Sequence, residues 1–242
     1  MKLSHRLEVI ASFVKPGSRL ADIGTDHGYI PIYLAQEGVI LSGLAMDVRE
    51  GPLSRARSHI EEAGLSEKIK TRLSDGLSEL SSNEADTVVI AGMGGELEIH
   101  ILEEGRHVWE TVSQWVLSPQ SDLDRVRQYL LKNGFSINRE EMVKEDGKFY
   151  TIMDVSGPKA TEPEKCRREE YEKECYYLYG KKLIEASHPV LAEFLDREKK
   201  TVLEILKSLE LQTTESARIR SEELLKKLQR IEEAQHEMQK YD

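Results

Sequence analysis

Cysteine is nearly missing from this 242-residue chain: there are two, Cys166 and Cys175. They form neither a C-x-x-C pair nor a zinc-ligand pattern, which argues against a disulfide framework and a structural metal site. No apolar run approaches the ~20 residues a bilayer-spanning helix requires, and no segment reads as an export signal. A reduced, cytoplasmic, metal-free protein is the expectation, with a monomer favoured. Positive charge is also in deficit, at a net −10. As an average, that argues mildly against a nucleic-acid partner, but averages conceal patches. Most of the deficit, −7, belongs to the residues up to Ala160, and the remainder is close to balanced at −3. Cations in that remainder are bunched, as at Lys181-Lys182 and at Arg197, Lys199 and Lys200. Bunches on a helix are usually a solvated face, yet they suit contacts to an RNA backbone.

The texture changes near Gly157-Pro158, giving expected domains of residues 1–158 and 159–242. The front part alternates short apolar runs with amphipathic stretches, which predicts a parallel sheet covered by helices. Leu7, Ile10, Ala11 and Val14 mark an opening helix that stops at Pro16-Gly17. Strands are expected at Leu20–Ile23, up to Asp47, at Ile69–Leu73, around Val88–Ile90 and in "QWVLS". Helices are expected over 30–36, from about Pro52 to Gly64, and over "LDRVRQYLLKNGF". "INREEMV" and "KFYTIMDV" flank "KEDGK", an Asp-Gly hairpin signal, so the sheet must close with an antiparallel strand. The rear part carries no convincing strand. Thr161 with Glu164 fits a capping box, His188-Pro189 should break the helical run, and a last helix starts at Thr213 or Thr214. Ala217, Leu224, Ile231 and Met238 recur every seven residues, which predicts a helical hairpin or small antiparallel coiled coil. The "YYLY" cluster at 176–179 reads as packing more readily than as base stacking.

In open α/β sheets ligands bind beyond the carboxyl ends of the strands, and here every strand ends there in something polar or flexible. The first loop, D-x-G-x-D-x-G, holds Asp22, Gly24, Thr25, Asp26, His27 and Gly28. Asp47-Val48 follows the second strand, Asp75-Gly76 the third, Gly92-Met93-Gly94 the fourth, and Ser118 to Asp122 the fifth. Gly24 and Gly28 let the backbone approach a ligand closely. Asp22 and Asp26 set negative charge beside it, a poor cradle for pyrophosphate, which wants N–H groups and cations. They suit a cationic adenosine compound without phosphate. S-adenosylmethionine meets that description, with Asp47 placed for ribose hydroxyls and Asp75-Gly76 for the adenine edge.

Carrying those blocks, the front domain resembles the class I, Rossmann-like methyltransferases, which implies a mostly parallel seven-stranded sheet with an antiparallel final strand. More narrowly, "LSHRL", "ADIGTDHGYIPIYL", "AMDV", "SDGL", "IAGMGG" and "SPQSD", followed by a helical tail, are similar to the bacterial tRNA (adenine-N1)-methyltransferases acting at position 22, the TrmK family. The resemblance implies S-adenosylmethionine as donor, tRNA as partner and adenine N1 as acceptor. The residues after the fourth strand offer no side-chain carbonyl to grip an exocyclic amine, which disfavours amino-group methylation. A ring nitrogen needs no base, but a nearby acceptor stabilises the charge that spreads to N6. Asp26, Gln120 and Asp122 are candidates for that role, with His27 and Tyr29 bounding the base and Arg6 near the donor's carboxylate. Lys181, Lys182, Arg197, Lys199 and Lys200 are the expected RNA contacts. Two other readings compete: a methyltransferase for a small molecule or protein whose tail mediates oligomerisation, and a non-catalytic donor-binding scaffold.

Overall fold

The structure is a computed structural model that describes residues 1–158, 171–212 and 214–241. The chain divides into two compact units, Met1–Arg167 and Arg168–Asp242. The domain boundary expected at 158/159 adjoins residues 159–170, and the Thr161/Glu164 capping box, Cys166 and Thr213 lie outside the described residues.

The first unit is a seven-stranded sheet flanked by helices. Its strands are β1 (Ser18–Ile23), β2 (Ile40–Asp47), β3 (Ile69–Leu73), β4 (Thr87–Ala91), β5 (Gln114–Ser118), β6 (Ser136–Glu145) and β7 (Lys148–Ser156), in the order β3-β2-β1-β4-β5-β7-β6. β1 pairs in parallel with both β2 and β4, so Ile23 lies between Met46 and Ile90. Strand order reverses between β1 and β4, opening a crevice beyond their carboxyl ends. β7 runs antiparallel to both neighbours. The expected fold class and the closing hairpin are therefore present. Continuous burial of Val88, Val89 and Ile90, and of Trp115, Val116 and Leu117, marks β4 and β5 as central strands covered on both faces.

Five helices pack on this sheet: α1 (His5–Phe13), α2 (Tyr29–Gln36), α3 (Glu50–Glu62), α4 (Gly95–Glu104) and α5 (Leu123–Lys132). The α1 N-terminus is tied to the end of β6. Ser4 Oγ accepts from the Leu7 N–H at 3.5 Å, and Glu145 accepts from the Arg6 N–H at 3.0 Å. α5 is fixed to β6 by a buried ion pair, Arg127 Nε to Glu140 Oε1 at 2.8 Å. The helix α4 was not singled out in the sequence, because its glycine-rich start reads as loop.

The second unit is helical among its described residues: α6 (Glu174–Tyr179), α7 (Lys181–Glu185), α8 (Pro189–Leu209) and α9 (Glu215–Met238). His188 caps α8 and places Pro189 in its first turn; Thr214 caps α9 by accepting from Ala217 N–H at 3.3 Å. Ala217, Leu224, Ile231 and Met238 are all buried, opposite a stripe that includes Leu191, Leu195 and Val202. Polar links from Asp196 to Gln235 and from Lys199 to Glu232 set α8 and α9 antiparallel. Tyr176 is buried, its hydroxyl 3.3 Å from Glu237, which is a packing role.

Candidate active site

Two loops form the crevice. Gly24 (φ +73) and Gly28 (φ +69) occupy the left-handed region after β1, and the Gly24 and Thr25 N–H groups donate to the Met46 carbonyl at 2.8 and 2.9 Å. This backbone link keeps the first loop beside the end of β2. From the β4 side, Gly92 (φ +84) turns the chain so that Met93 reaches across. Two cavities of about 390 and 350 Å³ share Gly24, Ala91 and Gly92, so they are lobes of one cleft divided by Met93.

The first lobe is polar, lined by Arg6, Asp22, Thr25, Asp26, His27, Gly28, Tyr29 and Gln120. Burial pushes the Asp22 carboxyl up from 3.8 to about 6, offset in part by Thr25 and reinforced by Asp47. A cation entering this lobe would restore its charge. Asp26 differs. It is exposed, pairs with Arg55 and lies 3.2 Å from His27 Nε2; the Arg55 hydrogen bond holds its carboxyl below the usual carboxylate range. His27 Nδ1 is buried and has no hydrogen-bond partner in the protein. Arg6 lies 4.7 Å above the Tyr150 ring, with buried Nε and Nη1 that have no hydrogen-bond acceptor. The arrangement offers an anion site beside two carboxylates, which suits a zwitterionic ligand.

The second lobe is an apolar slot with polar ends. Val48 and Leu97 are exposed at its lip, and Ile101, Asp47, Ser74, Asp75 and Gly76 line the remainder. Buried Asp47 accepts from the Arg49 N–H at 2.8 Å, which orients its carboxylate. Ser74 Oγ donates to the Gly76 carbonyl at 2.9 Å, and Gly76 itself is left-handed (φ +54). A Cβ at Gly76 would come to 3.0 Å from Ile101 Cγ1, so this left-handed turn packs against α4 only as glycine. Neither lobe offers a cluster of cations for a pyrophosphate. The residues fit an adenosine bearing a cationic amino-acid chain.

Most of the residues expected from the sequence meet here: Arg6, Asp22, Gly24, Thr25, Asp26, His27, Gly28, Tyr29, Asp47, Val48, Asp75, Gly76, Gly92, Met93 and Gln120. Two do not. Asp122 (φ +52) begins α5 and accepts from Ser121 Oγ at 2.6 Å, and Gly94 caps α4; neither lines the cleft. Their sequence positions are near the site, but the start of a helix claims both. Leu97 and Ile101 carry no sequence motif because apolar walls look like any helix face, and Arg49 and Ser74 join the lining only as neighbours of Asp47 and Asp75. In the helical unit, Lys181 and Lys182 pair with Glu185, and Lys199 with Glu232 at 3.0 Å, while Arg197 and Lys200 are exposed. Among the described residues, no group of His, Cys, Asp and Glu could hold a metal ion, and no helix is long and apolar enough to cross a membrane.

Residues 3–153 match a family model described as a methyltransferase domain. The tRNA (adenine(22)-N(1))-methyltransferase of Bacillus subtilis is 35% identical over 153 residues, which are 63% of this chain and 64% of that protein, so the matched stretch spans less than two thirds of it. Over nearly the full length, the chain resembles a crystal structure from Streptococcus pneumoniae described as a putative tRNA (m1A22) methyltransferase, with 34% identity, TM-score 0.84, and coverage of 96% and 99% of the two chains. A second crystal structure of that protein, with S-adenosyl-L-methionine, superposes with TM-score 0.80 at 33% identity, covering 96% of this chain and 99% of that one. Strand order, cleft and all three comparisons converge: the chain belongs to the bacterial tRNA (adenine(22)-N(1))-methyltransferase family, the TrmK family, within the Rossmann-like methyltransferases.

Proposed function

We propose that this chain methylates N1 of the adenine at position 22 of tRNA, with S-adenosylmethionine as the donor. The observation that carries the reading is the two-lobed cleft at the β1/β4 switch point, which joins an adenosine-sized apolar slot to a polar lobe containing carboxylates and an arginine without an acceptor. When bound, S-adenosylmethionine would supply a methyl group already activated by its sulfonium. Asp47 would accept from the ribose hydroxyls, and Asp75 with the Gly76 backbone would meet the adenine edge. Asp22 would balance the donor's positive charge, and Arg6 would receive its carboxylate.

Chemistry at the acceptor asks little of the protein beyond alignment, because N1 of adenine presents a lone pair. His27, Tyr29 and Gln120 bound the part of the polar lobe left for the target base. Methylation leaves positive charge shared between N1 and N6. Asp26, kept ionised by Arg55, stabilises that charge, and His27 Nδ1 or the Gln120 amide oxygen can accept from the amino group. N1 lies on the Watson–Crick edge, so the adenine must be unpaired or turned out of its stack to enter. The exposed cations Arg197 and Lys200 would hold the RNA by its phosphates, and the protein would work as a cytoplasmic monomer.

The test is digestion of unmodified tRNA treated with the full chain and donor, followed by mass spectrometry of nucleosides and mapping of the modified position. N1-methyladenosine at position 22 is expected. Methylation of another atom, or none on any tRNA, overturns the reading.

A further inference from the structure

The start of the first loop is tied to Met46, but its later residues are supported from outside the cleft. Asp26, His27 and Tyr29 line the polar lobe, yet their lateral support comes from α3, two residues of which are absent from the lining. Arg55 and His59 stand four apart on one face of that helix, with Ala56 between them. Arg55 pairs with Asp26. His59 Nδ1 lies 3.0 Å from the His27 carbonyl, which can only accept, so His59 carries its proton on Nδ1. The His59 ring also lies nearly parallel to those of His27 (5.4 Å, 20°) and Tyr29 (5.7 Å, 11°), which stack on one another at 4.9 Å. Close packing completes the support: a Cβ at Gly28 would sit 3.4 Å from Ala56 Cβ.

We infer that His59 and Arg55 are positioning residues for the acceptor side of the reaction, holding the His27–Tyr29 ring pair and the Asp26 carboxylate where the target adenine enters. This rests on the function proposed above. An exposed ion pair contributes little to stability, so the value of Arg55 is directional: it aims the carboxylate. His59 acts on the backbone of His27 and on both rings at once, so it is the stronger of the two. Neither residue lines the second lobe, where the nucleoside of the donor is held. Their loss is therefore expected to separate the two substrates.

The experiment compares wild-type chain with His59→Ala, His59→Asn, Arg55→Ala and Arg55→Lys. Turnover is measured on an unmodified tRNA transcript with adenine at position 22, and S-adenosylmethionine affinity by calorimetry. Displacements well short of an ångström suffice to disturb attack geometry, so both alanine variants should lose about tenfold or more in kcat. Donor Kd should stay within about twofold, since neither Arg55 nor His59 lines either lobe of the cleft. His59→Asn restores an N–H donor and Arg55→Lys restores a cation, and each should recover part of the loss. If His59→Ala fails to fold, His59→Phe keeps the ring volume, lacks the donor, and should still lower kcat at unchanged donor Kd. Full turnover in the substituted chains, or donor affinity falling in step with kcat, overturns the inference while leaving the functional reading in place. A wild-type chain that binds donor but never methylates the transcript removes the functional reading, and this inference with it.

Discussion

The Cε of Met93 occupies the space where a side chain at Gly24 would begin: a Cβ built on Gly24 would lie 2.0 Å from it. This contact closes the gap between the β1 and β4 loops and divides the cleft into its two lobes. Gly24→Ala meets two obstacles, the methionine and a φ of +73 that only glycine adopts cheaply. We expect that substitution to lower donor affinity by about tenfold or more and to cost roughly 1–2 kcal/mol of stability. Adding Met93→Ala removes the collision but not the dihedral strain, so calorimetry and thermal melts should show partial recovery only.

Asp22 makes ligand-free stability depend on pH in a direction that can be worked out. Its carboxyl titrates near 6 in the folded chain, against an ordinary 3.8, so between those values the folded state binds more protons than the unfolded one. Stability from this group is fully present below about 3.8 and is lost as pH rises through about 6. Asp22→Asn should flatten that slope and raise the melting temperature at pH 7 by roughly 5 °C, yet weaken binding of the cationic donor. Binding of S-adenosylmethionine to the wild type near pH 5 should release protons, read as a buffer-dependent enthalpy in calorimetry.

Arg127 and Glu140 form an ion pair whose side chains are 1% and 0% exposed, joining α5 to β6. Removing one partner strands a buried charge, so Arg127→Leu should destabilise the first unit by about 3–5 kcal/mol. Arg127→Met with Glu140→Leu should restore most of the loss, because two apolar side chains leave no charge to desolvate. Urea denaturation of the three proteins distinguishes the cases.

Donor and RNA contacts should separate by mutation. Asp47→Ala should cost about tenfold in donor affinity with little effect on tRNA affinity. Lys200→Glu should weaken tRNA binding and reduce its salt dependence while sparing the donor. Lys199 is a poorer probe, since its pairing with Glu232 and Gln235 ties it to the hairpin of α8 and α9. Calorimetry for the donor and filter binding at two salt concentrations read both arms.

The parts legible from sequence were those in which one residue type answers one physical demand. Alternation and apolar runs located all seven strands, with Ile69–Leu73 matched to the residue. Glycines flagged the places where backbone approaches ligand, and their left-handed dihedrals explain why they stand there. What stayed hidden depended on chain folding. Leu97 and Ile101 line the apolar second lobe as ordinary apolar residues of α4, a helix whose opening glycines imitate loop. His59 resembles any half-buried surface histidine until α3 is laid beside the first loop. Asp122 misled in the opposite sense, because starting a helix and serving a site draw on the same residue types.

The reversed direction of β7 reaches further than the sheet. It brings the Asp146-Gly147 turn back to the edge where ligands sit, so that Glu145 holds the start of α1 and Tyr150 lies beneath Arg6. Lengthening or stiffening that distant-looking hairpin would therefore be felt at Arg6, making a peripheral ribbon the adjusting screw of the guanidinium that lines the polar lobe.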